Sequence, residues 1–313
     1  MKIVITGCAG FIGSAFAGYI LDKYPYDSVI GIDCMTYAAS KEALEKLKCY
    51  EKFTFYKANI CDTEAINRIF AENTPDIVVN FAAESHVDRS IDSSRTFIET
   101  NVLGTQVLLD ASVEYGVKRF HQISTDEVYG DMPLDATERF TEDSPLNPSS
   151  PYSASKAAAD LLALSYMRTH GLSVSISRSS NNYGIYQHLE KLIPMAVSSI
   201  ASGKPVTLYG DGQNMRDWLY IIDHCRAIDL IIRARESGIY NIGADNEWSN
   251  IDLVRKIAEI LSMPDSRIEF VEDRKGHDRR YPIDSSKIKL LGWRVETNFE
   301  NKLDEIVRWY AEK

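Results

Sequence analysis

The apolar run Ile3-Val4-Ile5 passes straight into Gly7-Cys8-Ala9-Gly10-Phe11-Ile12-Gly13, and apolar residues then recur at helical spacing from Phe11 to Tyr24. A short strand that turns on glycines into a helix opens a parallel βα unit, because the glycines allow a tight turn and close strand–helix packing. The same rhythm returns in Ser28-Val29-Ile30-Gly31-Ile32, in Ile77-Val78-Val79-Asn80-Phe81, and in a helical stretch from Thr96 to Tyr115. It continues through Arg119-Phe120-His121-Gln122-Ile123-Ser124, a long helical stretch from Tyr152 to His170 ended by Gly171, and Ser173-Val174-Ser175-Ile176-Ser177. Strands without polar alternation, separated by helices, predict a parallel sheet covered on both faces. The fold class is therefore α/β, a doubly wound parallel sheet of Rossmann type. After about Asn181 the rhythm breaks into irregular segments such as Gly203-Lys204-Pro205 and Gly210-Asp211-Gly212. That change predicts a smaller mixed α/β substrate domain over residues 181–313 beside a cofactor domain over 1–180, with part of 214–240 returning to the first.

The glycine spacing is GxxGxxG, and Asp33 ends the second strand. A helix amino terminus favours a pyrophosphate, and an acid at the second strand end accepts hydrogen bonds from an adenosine ribose. The same acid repels a 2′-phosphate, so NAD is the expected cofactor rather than NADP.

Two further runs carry chemistry: Ser124-Thr125-Asp126-Glu127-Val128-Tyr129-Gly130 and Tyr152-Ser153-Ala154-Ser155-Lys156. A tyrosine and a lysine four residues apart share a helix face, so the ammonium is expected to lower the phenol's pKa and make it a base. The Asp-Glu pair adds a second acid and a second base, more than a simple alcohol oxidation needs. The plainer alternatives are that Asp126 and Glu127 cap a helix or face solvent at a strand end, and that Tyr152 and Lys156 form an exposed helical pair.

The formal charge of −10 and pI near 5.2 argue against nucleic acid or an anionic membrane as the partner, leaving Arg274-Lys275-Gly276-His277-Asp278-Arg279-Arg280 as the one basic cluster. Cys8, Cys34, Cys49, Cys61 and Cys225 form no CxxC pair and no metal-ligand spacing, so no metal is expected. No apolar run is long enough for a signal peptide or a membrane span, and a cytoplasmic location is expected.

With these motifs in register, the chain resembles the extended short-chain dehydrogenase/reductase superfamily over essentially its whole length. Within it, Phe81-Ala82-Ala83-Glu84-Ser85-His86-Val87-Asp88-Arg89-Ser90, Thr125-Asp126-Glu127, Arg216-Asp217-Trp218-Leu219-Tyr220 and Gly276-His277-Asp278-Arg279-Arg280-Tyr281 are similar to the dTDP-glucose 4,6-dehydratase family. The resemblance implies a tightly held NAD, reduced and reoxidised within one turnover. It implies that Tyr152, supported by Lys156, takes the C4 hydroxyl proton while Thr125 hydrogen-bonds the C4 oxygen. Glu127 then removes the C5 proton, and Asp126 protonates the departing C6 hydroxyl; which of the two acids holds the proton stays open. Implied cofactor contacts are Gly7, Gly10, Phe11, Ile12, Gly13, Asp33, Cys34, Thr36, Asn59, Ile60, Ala82, Ala83, Thr100, Tyr152, Lys156 and Asn182. Implied nucleotide-sugar contacts are Ser85, Thr125, Asn181, Lys191, Leu192, Thr207, Tyr209, Arg216, Asn246, Arg274 and His277. A homodimer through helices near Thr96–Tyr115 and Tyr152–His170 is implied as well.

Several positions depart from the family pattern: Ile185 replaces a proline, His188-Leu189 a Phe-Pro pair, Asn59 an aspartate, and Ile222 an acid. These leave the reaction core intact and leave the nucleobase open, with UDP-glucose the nearest alternative, because one methyl is worth only about 1–3 kcal/mol in a pocket. A 4-epimerase or decarboxylase is the other enzymatic alternative, and it leaves the Asp-Glu pair without a task.

Overall fold

Residues buried on both faces of a sheet need no polar alternation, and such runs make up a seven-stranded parallel sheet whose edge strand at Phe53–Lys57 is the half-exposed exception. The computed structural model describes residues 1–234, 237–264 and 266–313. The chain begins β1 (Lys2–Thr6), α1 (Phe11–Lys23), β2 (Ser28–Asp33), α2 (Lys41–Lys48), β3 (Phe53–Lys57), α3 (Thr63–Asn73) and β4 (Ile77–Asn80). It continues with α4 (Val87–Asp92), α5 (Arg95–Phe97), a π-helical segment (Ile98–Leu103), α6 (Gly104–Glu114), β5 (Arg119–Thr125) and a 3₁₀ turn (Asp126–Tyr129). Then come α7 (Pro151–His170), β6 (Val174–Ser179), β7 (Asn181–Tyr183), α8 (Leu192–Ala201), β8 (Val206–Tyr209), β9 (Met215–Tyr220) and α9 (Ile221–Arg233). The last elements are β10 (Gly238–Ile242), β11 (Glu247–Ser249), α10 (Asn250–Ile260), β12 (Ile268–Val271), α11 (Ser286–Leu290) and α12 (Phe299–Ala311).

The large sheet runs β10-β6-β5-β4-β1-β2-β3, so strand order reverses on either side of β1. At such a reversal the loops leaving the strand ends diverge and open a crevice. One face of the sheet is covered by Ile66, Ile69 and Phe70 of α3, Leu108 and Ala111 of α6 and Ala163 of α7. The other is covered by Phe16 and Ile20 of α1 together with Ile221, Cys225 and Ile228 of α9. Each fully buried Leu, Ile or Phe contributes about 1.5–3 kcal/mol, so both layers are held firmly against the strands. A separate cluster of Ile193, Val197, Leu253, Ile257, Leu303 and Val307 joins α8, α10 and α12 beside the small sheets β11-β9-β7 and β12-β8.

Local chemistry explains where α7 begins. Ser150 Oγ accepts from Ser153 N at 3.1 Å, Ser153 Oγ accepts from Ser150 N at 3.0 Å, and Pro151 occupies the first turn. Gly171, at φ 67°, closes the helix in the left-handed conformation. The stretch expected as one regular helix from Thr96 to Tyr115 instead contains the π-helical segment, which carries the buried Asn101. Its amide donates to Glu84 O at 3.0 Å and Ser155 Oγ at 2.8 Å and accepts from Glu84 N at 2.9 Å, fastening the loop after β4 to α7.

Candidate active site

The β1–α1 turn leaves no room for side chains. A Cβ on Gly7, whose φ is +64°, would lie 2.8 Å from Ala82 N, and one on Gly13 would lie 2.2 Å from Gly7 O. Gly10, Phe11 and Ile12 complete the turn, and the first turn of α1 presents its amides there. Asp33 at the end of β2 is buried; it accepts from Ala9 N at 3.0 Å and Met35 N at 2.7 Å, which ties it to the glycine turn. Cys34, Thr36 and Asn59 are exposed beyond the strand ends, while Ile60 is buried below Gly104, where a Cβ would lie 2.4 Å from its Cδ1. Ala82 and Ala83 follow β4, with Ala82 N donating to Thr6 Oγ1 at 3.1 Å, and Thr100 lies in the π-helical segment. A glycine cradle at a helix start beside a fixed acid fits a dinucleotide pyrophosphate and ribose.

The Asn182 amide donates to Ser179 Oγ at 3.2 Å and Ser180 O at 3.0 Å, and His224 Nδ1 lies 2.8 Å from its Oδ1. Its side chain is thus engaged within the protein.

The end of β5 and the start of α7 bring the five reaction candidates together. Thr125 Oγ1 accepts from Glu127 N at 3.3 Å and so caps the 3₁₀ turn, leaving both acids free of the capping role set against them above. Asp126 is only 2% exposed; Oδ1 accepts from Thr125 Oγ1 at 3.2 Å and Oδ2 has no partner. Burial, and then the neighbouring Glu127 carboxylate, push the Asp126 carboxyl well above its ordinary range. Glu127 is also raised by burial, but Arg216, Lys191 and Arg274 pull it back toward the ionised form. Two adjacent carboxyls in unequal surroundings divide into a proton holder and a proton acceptor.

Tyr152 differs from the sequence-based expectation. Burial and the charges of Glu127 and Asp126 raise its phenol, and only a hydrogen bond with Thr125 lowers it. Lys156 does not offset this, because its Nζ donates to Ile123 O at 2.5 Å. The lysine itself is lowered by burial to about 8, with Asp160 acting in the opposite direction. Tyr152 and Lys156 are nonetheless no solvated surface pair: the first is partly buried, the second 4% exposed.

On the opposite wall, Arg216 of β9 is buried, lies 4.4 Å over the Tyr281 ring, and has Nη2 3.3 Å from His277 Nε2. His277 Nδ1 lies 2.5 Å from Asp273 Oδ1. Arg274 lies 4.5 Å over the Tyr209 ring at the end of β8, where Thr207 is exposed. Lys191 precedes α8 and donates from Nζ to Ser85 O at 3.3 Å, with Leu192 the first residue of the helix. Asn181 pairs with Trp218 between β7 and β9, and Asn246 O accepts from Trp218 N at 3.1 Å. Among the described residues no cluster of three His, Cys, Asp or Glu side chains could hold a metal ion.

Sequence reading missed the support behind this wall. Asp160, one helical turn after Lys156, is fully buried and accepts from Ser124 Oγ and Arg178 Nε, both at 3.0 Å. Arg178 in turn donates to Tyr129 OH at 2.9 Å, and Tyr129 OH donates to Asn241 Oδ1 at 2.7 Å. The Tyr152, Lys156, Asp160 ladder at i, i+4, i+8 was the available signal. Arg178→Met leaves the Asp160 carboxylate buried without its counter-charge and is expected to lower unfolding free energy by about 3–5 kcal/mol. Urea unfolding measures this, and an unchanged midpoint would contradict it.

The profile of the family described as GDP-mannose 4,6 dehydratase matches residues 4–306. The low-salt glycan biosynthesis protein Agl12 of Haloferax volcanii is 48% identical over 311 residues, covering 99% of this chain and 98% of that protein. The dTDP-glucose 4,6-dehydratase of Haemophilus influenzae is 46% identical, covering 99% of this chain and 98% of its own. The crystal structure of DesIV, a dTDP-glucose 4,6-dehydratase from Streptomyces venezuelae with NAD and dTDP bound, superposes with a TM-score of 0.96 at 44% identity, covering 100% of this chain and 98% of that one.

Proposed function

The chain belongs to the GDP-mannose 4,6 dehydratase family, and from that premise we propose that it is an NAD-dependent nucleotide-sugar 4,6-dehydratase converting dTDP-glucose to dTDP-4-keto-6-deoxyglucose. The observation that carries this reading is the Asp126-Glu127 pair beside Tyr152, both acids raised by burial, Asp126 the more strongly, while Arg216, Lys191 and Arg274 oppose the shift at Glu127. Simple oxidation or epimerisation at C4 uses neither acid; elimination across C5 and C6 uses both.

NAD would supply the hydride acceptor for C4 and the hydride donor for C6. The glycine cradle Gly7, Gly10 and Gly13 with Phe11 and Ile12 would hold its pyrophosphate, and Asp33 with Cys34 and Thr36 the ribose. Asn59, Ile60, Ala82, Ala83, Thr100, Lys156 and Asn182 are proposed to complete its site. Tyr152, once ionised to its phenolate, accepts the C4 hydroxyl proton, with Thr125 hydrogen-bonding the same oxygen. A protonated Asp126 removes one of the two charges that oppose phenol ionisation, so the same proton assists the first step and awaits the second. Once C4 is a ketone, C5 is acidic; Glu127 takes its proton and Asp126 gives its own to the leaving C6 hydroxyl, and a proton returns to C5 as hydride returns to C6. Arg216, Arg274 and His277 hold the diphosphate and its ribose, with Asn181 and Asn246 nearby. Lys191, Leu192, Thr207 and Tyr209 hold the nucleoside, and Ser85 the sugar. Arginine suits the diphosphate because its planar fork binds two oxygens at once.

Residues 1–180, with part of 214–240, are taken as the cofactor unit, and the rest of 181–313 as the substrate unit. A homodimer is proposed through the exposed Ile98 and Leu103 of the π-helical segment and Leu161 of α7, each at least half exposed in the single chain. Sedimentation equilibrium at micromolar concentration should give twice the chain mass; the mass of one chain would contradict it. All five cysteines are free, which supports a reducing, cytoplasmic setting, and no helix among the described residues is long and apolar enough to cross a membrane.

Parallel incubation with dTDP-glucose, UDP-glucose, GDP-mannose and CDP-glucose, followed by mass analysis, tests reaction and nucleotide together. Loss of one water from dTDP-glucose is expected first, whereas products isomeric with their substrates would refute the dehydratase reading. Gly13→Ala places a methyl group against the Gly7 carbonyl and should weaken NAD binding by about tenfold or more. Equilibrium dialysis with labelled NAD checks it, and wild-type affinity would remove the cradle from the cofactor site.

A further inference from the structure

Asp88 belongs to α4, on the loop that leaves the large sheet after β4, yet its carboxylate meets two side chains of the substrate unit. Oδ1 lies 3.0 Å from Arg274 Nε, and Oδ2 accepts from Arg274 Nη2 at 3.2 Å and from Tyr209 OH at 3.3 Å. Nη2 donates to the carboxylate while Nε lies at ion-pair distance from it without a hydrogen-bond partner among the described residues, so Asp88 sits along one edge of the guanidinium and leaves Nη1 with the outer hydrogen of Nη2 for another bidentate acceptor. The Tyr209 ring below Arg274 orients the plane of the fork, and the Nη2 hydrogen bond with the Asp88 ion pair biases its rotation within that plane.

Asp88 is itself held. Lys191 Nζ donates to Ser85 O at 3.3 Å, three residues upstream, and Arg89 pairs with Glu190 just downstream. His86 Nε2 also lies 3.4 Å from Glu190 Oε2. The loop from Ser85 to Arg89 is therefore fastened to the segment before α8 on both sides of Asp88.

We propose that Asp88 is a positioning residue for nucleotide-diphosphate capture, aiming the free end of the Arg274 fork into the cleft while joining the cofactor-side loop to the substrate unit. The inference rests on the assignment of Arg274 to the diphosphate made above. A carboxylate beside a diphosphate also repels it, so a purely competing role predicts the opposite sign on removal, and the sign is measurable.

The test is calorimetric titration of the NAD-loaded protein with dTDP, for the wild type, Asp88→Asn, Arg274→Ala and the double variant. Asp88→Asn keeps the shape and removes the charge, and should weaken dTDP binding by about tenfold, the scale of one charge-assisted hydrogen bond. In the Arg274→Ala background the same change should cost less than about twofold, because Asp88 acts through the missing guanidinium. With dTDP-glucose, the loss should fall on KM more than on kcat, and melting temperatures establish that each variant is folded. Equal or tighter dTDP binding by Asp88→Asn, additive losses in the double variant, or no dTDP binding by the wild type would overturn the proposal. If the wild type turns over dTDP-glucose and the two residues do not couple, this inference alone falls. If they couple and no water is lost, the reaction assignment alone falls.

Discussion

Glu127→Gln should leave oxidation at C4 in place and slow water loss by about 10³-fold, within the range for removal of a positioned general base. The amide matches the carboxylate in size, so the 3₁₀ turn capped by Thr125 should persist. What disappears is the one acceptor that Arg216, Lys191 and Arg274 draw toward its ionised form against the effect of burial. Asp126 does not substitute, because burial pushes its carboxyl toward the neutral form, which cannot accept a further proton. In a single turnover with dTDP-glucose, the absorbance of the reduced nicotinamide should rise and persist while the dehydrated product lags. Dehydration at the wild-type rate would remove Glu127 from the mechanism.

Tyr152→Phe should act one step earlier and lower kcat by about 10³–10⁴-fold, because it removes the phenol assigned to take the C4 hydroxyl proton. The Thr125 hydroxyl is too weak a base for that proton, and Lys156 donates from its ammonium to the Ile123 carbonyl. The phenyl ring keeps its edge-on contact with Phe97, at 6.4 Å between centroids, so packing at the start of α7 should be retained. NAD binding should therefore persist with no rise in reduced-nicotinamide absorbance. A variant that still shows that rise at the wild-type rate would require a different base.

The two variants stop the reaction on opposite sides of the ketone. Their difference separates an oxidising Tyr-Lys pair, shared in principle with epimerases, from the eliminating Asp-Glu pair.

Much of this arrangement was legible before the structure, for identifiable reasons. The glycine turn, the doubly buried strands and Asp33 are local features whose spacing is set by one βα unit. The strand β3 (Phe53–Lys57) was passed over because it lies at the sheet edge, where half-exposed positions dilute the apolar run. The π-helical segment was invisible because its residues have ordinary helical composition and only Asn101's inward contacts mark it. Lys156 illustrates the limit of spacing rules. Four residues along a helix predict its face, but the buried β5 carbonyl of Ile123, not the phenol, takes its proton donor. Arg178 reads as one polar residue in a strand until Asp160 is folded against it. Asp88 and Arg274 meet across 186 residues of sequence, and neither position predicts the other.

The central claim, that Tyr152, Asp126 and Glu127 act in one sequence of oxidation, elimination and reduction, is tested most directly with dTDP-glucose deuterated at C4. The product should lack one water and carry that deuterium at C6, as read by mass spectrometry and deuterium NMR. A product isomeric with the substrate, or a dehydrated product whose C6 has lost the label, would contradict it.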